Sequence, residues 1–324
     1  SSTVGSFMGA VFSTLVLMAT IGVHHTATLT ILSLCALYIA LSKKKFSEPA
    51  LVMLVIAGLA LILNSNRMMD YFKIVENNQY NTIRVLEESN GKRILSLNHN
   101  KSSSYNPRAR KGKKFFAYIQ YIRQNFIAPI QYQGPVHSIL VIGAGGFTVG
   151  LNDYKNEYVF VDIDDSLKDV TEEHFLKKKL EKNKYFAPVP ARAYVRKAQL
   201  EDKKFDLIIL DAYQGNTTIP EHLITKEFYE DVKDITKENG IILGNFVTSL
   251  GFNNAFSMTL DNTLKQVFPH ISRHIIQNRY NGWSDNPRND TNVLYIYHHR
   301  KQAENEIYTD NKNRVYYDKE RSVR

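Results

Sequence analysis

The sequence predicts an α/β fold preceded by apolar, membrane-type segments, and three observations carry that reading. Short apolar runs alternate with helical patterns from Ser138 to His298, a glycine-rich break follows the first run, and the first 66 residues of the chain are nearly free of charge. Parallel strands need a crossover between them, so this alternation implies a parallel sheet with helices on both faces. Strands are expected at Ile139–Ile142, Tyr158–Asp162, Phe205–Leu210, Gly240–Phe246, Ile271–Gln277 and Val293–His298, the last two as an antiparallel pair. Helices are expected at Ser166–Glu181, Pro220–Lys237 and Phe252–Val267.

The first part of the chain reads differently. No residue from Ser1 to Ser42 is charged, Lys43-Lys44-Lys45 follows at once, and a second uncharged run from Pro49 to Asn66 ends at Arg67. Val4 to Val23 is long enough to cross a bilayer, which needs about 20 apolar residues. Thr26 to Leu41 is shorter, and Ala50 to Leu63 is marginal for a perpendicular span. A buried helical hairpin of a water-soluble protein is the alternative, and so long an uncharged stretch disfavours it. A signal peptide fits poorly, since no basic region precedes the apolar run. The expectation is two or three transmembrane helices, a multi-pass cell-membrane location, and the end of a longer membrane domain, because "SSTVGS" has no initiating Met.

Gly5 and Gly9 form a small-residue face suited to another membrane helix. The lipid bilayer and a homodimer are among the expected partners. Lys43 to Lys45 favour a cytoplasmic loop. The globular part then lies outside if Ala50–Leu63 crosses, and inside if that segment lies along the interface.

Lysine and arginine total 41 against 32 acids, a net charge of +9, and much of it sits in Pro107 to Lys114. So close to an anchor, that loop most simply rests on anionic headgroups, or is plainly solvated. Nucleic acid is not expected, since no recognisable nucleic-acid module accompanies it. The single cysteine, Cys35, excludes a disulfide framework.

Between these parts, Ile74 to Leu97 reads as a β-hairpin about Asn90-Gly91, a strong two-residue turn signal. "FFAYIQYIRQNFI" has helical spacing, with Phe115, Tyr118, Ile119, Ile122 and Phe126 on one side. The chain thus divides into 1–66, membrane helices; 67–135, hairpin region, basic loop and linking helix; 136–300, a nucleoside-binding α/β domain; and 301–324, a polar tail.

The candidate chemistry lies at strand ends. "SILVIGAGGFTVG" breaks a buried strand into Gly143-Ala144-Gly145-Gly146, which lets backbone turn tightly and approach a ligand. The next strand ends "VFVDIDD", roughly twenty residues on, where a carboxylate accepts the hydroxyls of a ribose. Asp162 is the candidate, with Asp164 nearby; either could instead cap the following helix. Asp211 ends the strand "LIIL" in the crevice where open sheets bind ligands. There a carboxylate can align or deprotonate a nucleophile, or simply organise its loop.

Taken together, Gly143–Gly146, Asp162-Ile163-Asp164 and "DAYQGNTTIPEHLITKEFY" resemble the spermidine synthase family. They look closest to its branch fused to membrane transporter-like helices, in which a "DAYSG…PxHLTTxEFF" pattern is typical. "TVGSFMGAVFSTLVLMATIG" looks like the closing helices of those fusions, and "SLNHNKSSSYNP" resembles their segment between hairpin and α/β domain. The similarity runs to about Tyr297.

The resemblance implies a Rossmann-like, class I methyltransferase-type sheet of seven strands behind an N-terminal hairpin region. It implies aminopropyl transfer from decarboxylated S-adenosylmethionine to a small amine, with no metal. Gly143, Gly145, Gly146, Asp162 and Asp164 would hold the nucleoside, Asp211 would assist deprotonation of the amine, and Tyr118 would line the acceptor channel. Against the family pattern, Gly146, Pro190 and Gln214 stand where acids are usual, and Ile119-Gln120 replaces a His-Glu pair. Loss of the acid at Gly146 admits intact S-adenosylmethionine. A methyltransferase, or a non-catalytic scaffold or sensor, is accordingly the alternative.

Overall fold

The computed structural model describes residues 2–42, 48–110, 113–214, 218–249, 251–252, 254–276 and 290–299. The polar tail 301–324, Lys43 to Lys45, Lys111, Gly112 and Gln277 lie outside the described residues.

Thr3–Leu41 forms one apolar helix of 39 residues, long enough to cross a membrane. At 1.5 Å per residue its contour is about 58 Å, against about 30 Å for a hydrocarbon core. It is interrupted at Gly22, which takes φ 77° and ψ 171°. A Cβ on Gly22 would stand 2.7 Å from the Asn77 carbonyl oxygen, so only glycine lets the bend rest on the sheet beside it. The expected segments Val4–Val23 and Thr26–Leu41 are therefore one bent helix. Among the described residues it alone meets the length for a span, rather than two or three helices.

The shorter apolar helix Glu48–Leu63 packs along the second half, bringing the Cys35 thiol within 4.0 Å of Met53 Sδ. Cys35, Ala50 and Ala60 are buried there, whereas Val4, Leu15, Leu34, Leu51 and Leu61 face outward and are each more than half exposed.

After a short helix, Asn66–Tyr71, comes a four-stranded antiparallel sheet: β1 (Ile74–Asn77), β2 (Thr82–Glu87), β3 (Arg93–Leu97) and β4 (Asn100–Tyr105). The Asn90-Gly91 turn joins β2 to β3, with Gly91 at φ 82° and its amide donating to the Glu88 carbonyl at 2.9 Å. The hairpin is thus part of a larger sheet. "NKSSSY", which lacks apolar residues before its tyrosine, becomes the edge strand β4.

The second sheet has seven strands in the order β10-β11-β9-β8-β5-β6-β7. They are β5 (Ser138–Ile142), β6 (Glu157–Asp162), β7 (Lys184–Pro188), β8 (Phe205–Leu210), β9 (Thr236–Ser249), β10 (Ser272–Ile275) and β11 (Asp290–His298). Strands β5 to β9 pair in parallel, and β10 and β11 complete the sheet antiparallel. Alternation along β5 divides the core: Leu140 and Ile142 face the helices Ala191–Leu200, Lys226–Asp234 and Ala255–Val267. Ile139 and Val141 face Ile83, Leu95 and the linking helix that starts at Ala117–Ile122.

Several expected boundaries move. The helix expected at Ser166–Glu181 runs through Leu167–Val170 and a π-turn, Thr171–Phe175, and then stops. Lys177 takes a positive φ of 56°, and Glu172 accepts the Leu180 amide at 3.0 Å. Strand β7 and the helix Ala191–Leu200 were not expected in "KYFAPVPARAY"; Pro188 is tolerated because β7 is an edge strand. In place of one helix from Pro220, a 3-10 turn, Glu221–Leu223, precedes the helix Lys226–Asp234, whose N-cap Thr225 accepts the Phe228 amide at 3.2 Å.

Candidate active site

The order of the sheet makes β5 and β8 neighbours whose connections run to opposite sides. A crevice opens at such a switch, beyond the carboxyl ends of the strands. The three strands that frame it are tied at their ends: the Gly143 amide donates to the Val161 carbonyl at 2.9 Å, and the Asp211 amide to the Ile142 carbonyl at 2.8 Å. Gly143 takes φ 94°, and a Cβ on it would lie 2.3 Å from the Asp211 carbonyl oxygen. Glycine there lets the ends of β5 and β8 close up.

Asp211 is the centre of the site. Tyr118 Oη donates to its Oδ2 at 2.9 Å, and Asn245 Nδ2 donates to its Oδ1 at 2.8 Å. Asn292 Nδ2 in turn donates to Asn245 Oδ1 at 3.0 Å, fixing which way that amide faces. Burial pushes the Asp211 carboxyl up to about 7, although both hydrogen bonds favour its charged form. Burial, and next the Asp211 charge, holds the Tyr118 phenol well above its ordinary value, so the hydroxyl stays a donor.

Tyr213 is turned away from Asp211. Its hydroxyl donates to the Asn245 carbonyl at 2.8 Å and accepts the Val247 amide at 3.0 Å. Beneath the loop after Asp211, a narrow apolar cleft is lined by Leu210, Ala212, Ile219, Leu223 and Phe246.

Asp162 faces the glycine loop, its Oδ2 accepting the Ala144 amide at 3.0 Å and its Oδ1 the Asp164 amide at 3.3 Å. It remains partly exposed. Burial raises its carboxyl above the ordinary value, and the Ala144 amide opposes that rise.

Asp164 is placed elsewhere, with no exposed surface. Asn78 and Asn81 donate their side-chain amides to it at 2.8 and 2.7 Å, and Ser166 its hydroxyl at 2.7 Å. These bonds join the four-stranded sheet to the end of β6.

The last glycine of the loop is closed in as well. A Cβ on Gly146 would meet Phe175 Cε1 at 2.4 Å and Ser103 Cβ at 2.9 Å, and its amide donates to Ser103 Oγ at 2.9 Å.

Tyr118, Asp211, Gly143 and Asp162 thus gather at one crevice, Gly145 is partly exposed beside Ser102 and Ser103, and Asp164 and Gly146 are buried. Asn245, Asn292 and Ser103 were missed from the sequence. A lone asparagine inside the apolar run "IILGNFV" was the available signal for Asn245. Among the described residues no cluster of three or more His, Cys, Asp or Glu could hold a metal ion.

A mostly parallel seven-stranded sheet with its crevice at the switch point is a Rossmann-like, methyltransferase-type fold. Residues 127–279 match the family model of the spermine/spermidine synthase domain. A polyamine aminopropyltransferase of Vibrio vulnificus (strain CMCP6) is 32% identical over 145 residues, 41% of this chain and 45% of that protein. The chain therefore spans less than half the length of that relative. A crystal structure of a probable spermidine synthase from Corynebacterium glutamicum ATCC 13032 superposes with a TM-score of 0.53 at 19% identity, covering 74% of this chain and 82% of that one. Over residues 127–279 the chain is similar to the spermidine synthase family.

Proposed function

We propose that the chain is a membrane-associated transferase that moves the aminopropyl chain of an adenosyl sulfonium donor to a small amine. The observation that supports this best is the Asp211 carboxylate, held by Tyr118 at 2.9 Å and Asn245 at 2.8 Å at the mouth of the crevice. An amine attacks only once it has lost a proton, and a carboxyl group near 7 can take that proton at neutral pH. The donor carbon is already activated by the sulfonium, so positioning supplies much of the remaining rate.

In this reading Asp162 accepts the ribose hydroxyls, Gly143 and Gly145 let the donor approach the loop, and Asp164 with Gly146 supports that wall. Tyr118 keeps the Asp211 carboxylate pointed at the acceptor. The name of the Vibrio vulnificus relative, polyamine aminopropyltransferase, agrees with an amine acceptor.

The apolar helix Thr3–Leu41 and its outward-facing leucines support lipid contact, and Glu48–Leu63 is the candidate for a second crossing. The donors are made in the cytoplasm, so the α/β part faces inward. Protease accessibility in oriented vesicles tests that orientation.

The chemistry is tested by incubating the protein with decarboxylated and with intact S-adenosylmethionine and a panel of amines. Release of methylthioadenosine that depends on Asp211 supports the transfer. Adenosylhomocysteine instead makes the protein a methyltransferase. Donor binding abolished by Asp162→Ala with no product makes it a non-catalytic sensor.

A further inference from the structure

The glycine loop carries a feature that ribose binding and Asp211 leave unused. Its amides are accounted for one by one: Gly143 donates to Val161, Ala144 to Asp162, and Gly146 to Ser103. The Gly145 amide has no partner among the described residues, and Gly145 is partly exposed at φ 47°. An amide in such a place is completed by water or by a ligand.

Ser102 of β4 stands beside it. A Cβ on Gly145 would lie 3.3 Å from Ser102 Oγ and 3.0 Å from Ser103 Oγ. Ser103 Oγ accepts the Gly146 amide, whereas the partly buried Ser102 hydroxyl has no partner among the described residues. Two free donors, one N–H and one O–H, therefore meet at the middle of the loop.

None of the three strand-end acids is hydrogen-bonded to them. Asp162 is turned to Ala144, Asp164 is spent on Asn78, Asn81 and Ser166, and Asp211 is turned to Tyr118 and Asn245. A side chain at Gly146 is barred by Phe175 and Ser103. A donor reaching from Asp162 on β6 towards Asp211 on β8 must pass over the end of β5, and its tail then passes beside Ser102 and Gly145. A carboxylate can accept from both groups, whereas an ammonium can use only the Ser102 hydroxyl oxygen of the two.

We propose that the sulfonium donor keeps its carboxylate, and that Ser102 Oγ–H and Gly145 N–H bind it. This rests on the transferase reading above, names the donor for it, and adds a carboxylate to the aminopropyl chain that is moved. The chain transferred is then a 3-amino-3-carboxypropyl group. The amine lone pair attacks the carbon next to sulfur, and a C–N bond forms as the C–S bond breaks. The electron pair stays on sulfur as methylthioadenosine leaves, and the amine proton passes to the Asp211 carboxylate.

The test is calorimetric titration of the full chain in detergent micelles with S-adenosylmethionine and with its decarboxylated form. The intact donor is expected to bind at least about 10-fold more tightly. Ser102→Ala should cut its affinity about 5- to 10-fold and move the decarboxylated form less than twofold, with Ser102→Thr restoring the preference. Tighter binding of the decarboxylated donor, or an equal loss for both with Ser102→Ala, overturns the donor assignment and leaves the transferase standing. Binding of neither donor by the wild-type chain overturns the transferase reading and the assignment with it. Melting curves of both variants exclude misfolding as the cause, and Ser102→Thr supplies the comparison if Ser102→Ala does not fold.

Discussion

Asp211 owes its proposed chemistry to being hard to ionise. Its carboxyl group rises from an ordinary value of 3.8 to about 7 on folding, chiefly through burial. Between about pH 4 and pH 7 the folded chain holds this proton and the unfolded chain does not, so stability falls as pH rises through that window. The full difference is roughly 4 kcal/mol, present below the window and lost above it. Asp211→Asn keeps both hydrogen bonds, since its amide can donate to Tyr118 while its oxygen accepts from Asn245. At pH 8 the variant should unfold about 2 to 4 kcal/mol harder than the wild type, and at pH 4 nearly equally; urea titrations at the two pH values check this. Wild-type kcat/KM should rise with pH through about 7 as Asp211 loses its proton, and Asp211→Asn should fall about 10²- to 10⁴-fold with that rise abolished. Asp211 and Tyr118 were legible in the sequence through a motif and a resemblance, whereas Asn292 was not. It touches Asp211 only through Asn245, and no local pattern reports a contact made through a third residue.

At the scale of elements, the glycine loop is set by what packs on it. Gly146→Ala adds a methyl group into Phe175 and Ser103, both on elements that cannot easily move. A loss of about 1 to 3 kcal/mol is expected, read as a lower melting temperature, whereas Gly5→Ala carries no such loss because nothing lies within 4 Å of it. The buried strands β5, β6 and β8 were readable because apolar runs between turn signals have few other uses. Strands β4 and β7 were not. "NKSSSY" forms a strand because β3 offers it a ladder and the glycine loop takes up Ser103, and "KYFAP" because an edge position excuses its proline. Tertiary context made both.

Across the whole molecule, a nearly charge-free helical part joins a polar α/β part of different composition. The proposed lipid contact rests on the apolar side chains that the helices leave exposed, Leu34 and Leu37 among them. Replacing the exposed Leu34 and Leu37 together by lysine should reduce recovery of the full chain with liposomes on flotation by severalfold; unchanged recovery would show that these faces do not meet lipid. The division into two compositions was plain in the sequence, while the bend that makes one helix of two expected spans was not. It depends on Gly22 meeting the Asn77 carbonyl, a contact between distant stretches of chain. The bond of Asn78 and Asn81 to Asp164 sets how the polar part comes apart. Prying the small antiparallel sheet loose strips a carboxylate of both amides inside an apolar seam. Neither half should detach cheaply, and on heating the two are expected to melt as a single cooperative block.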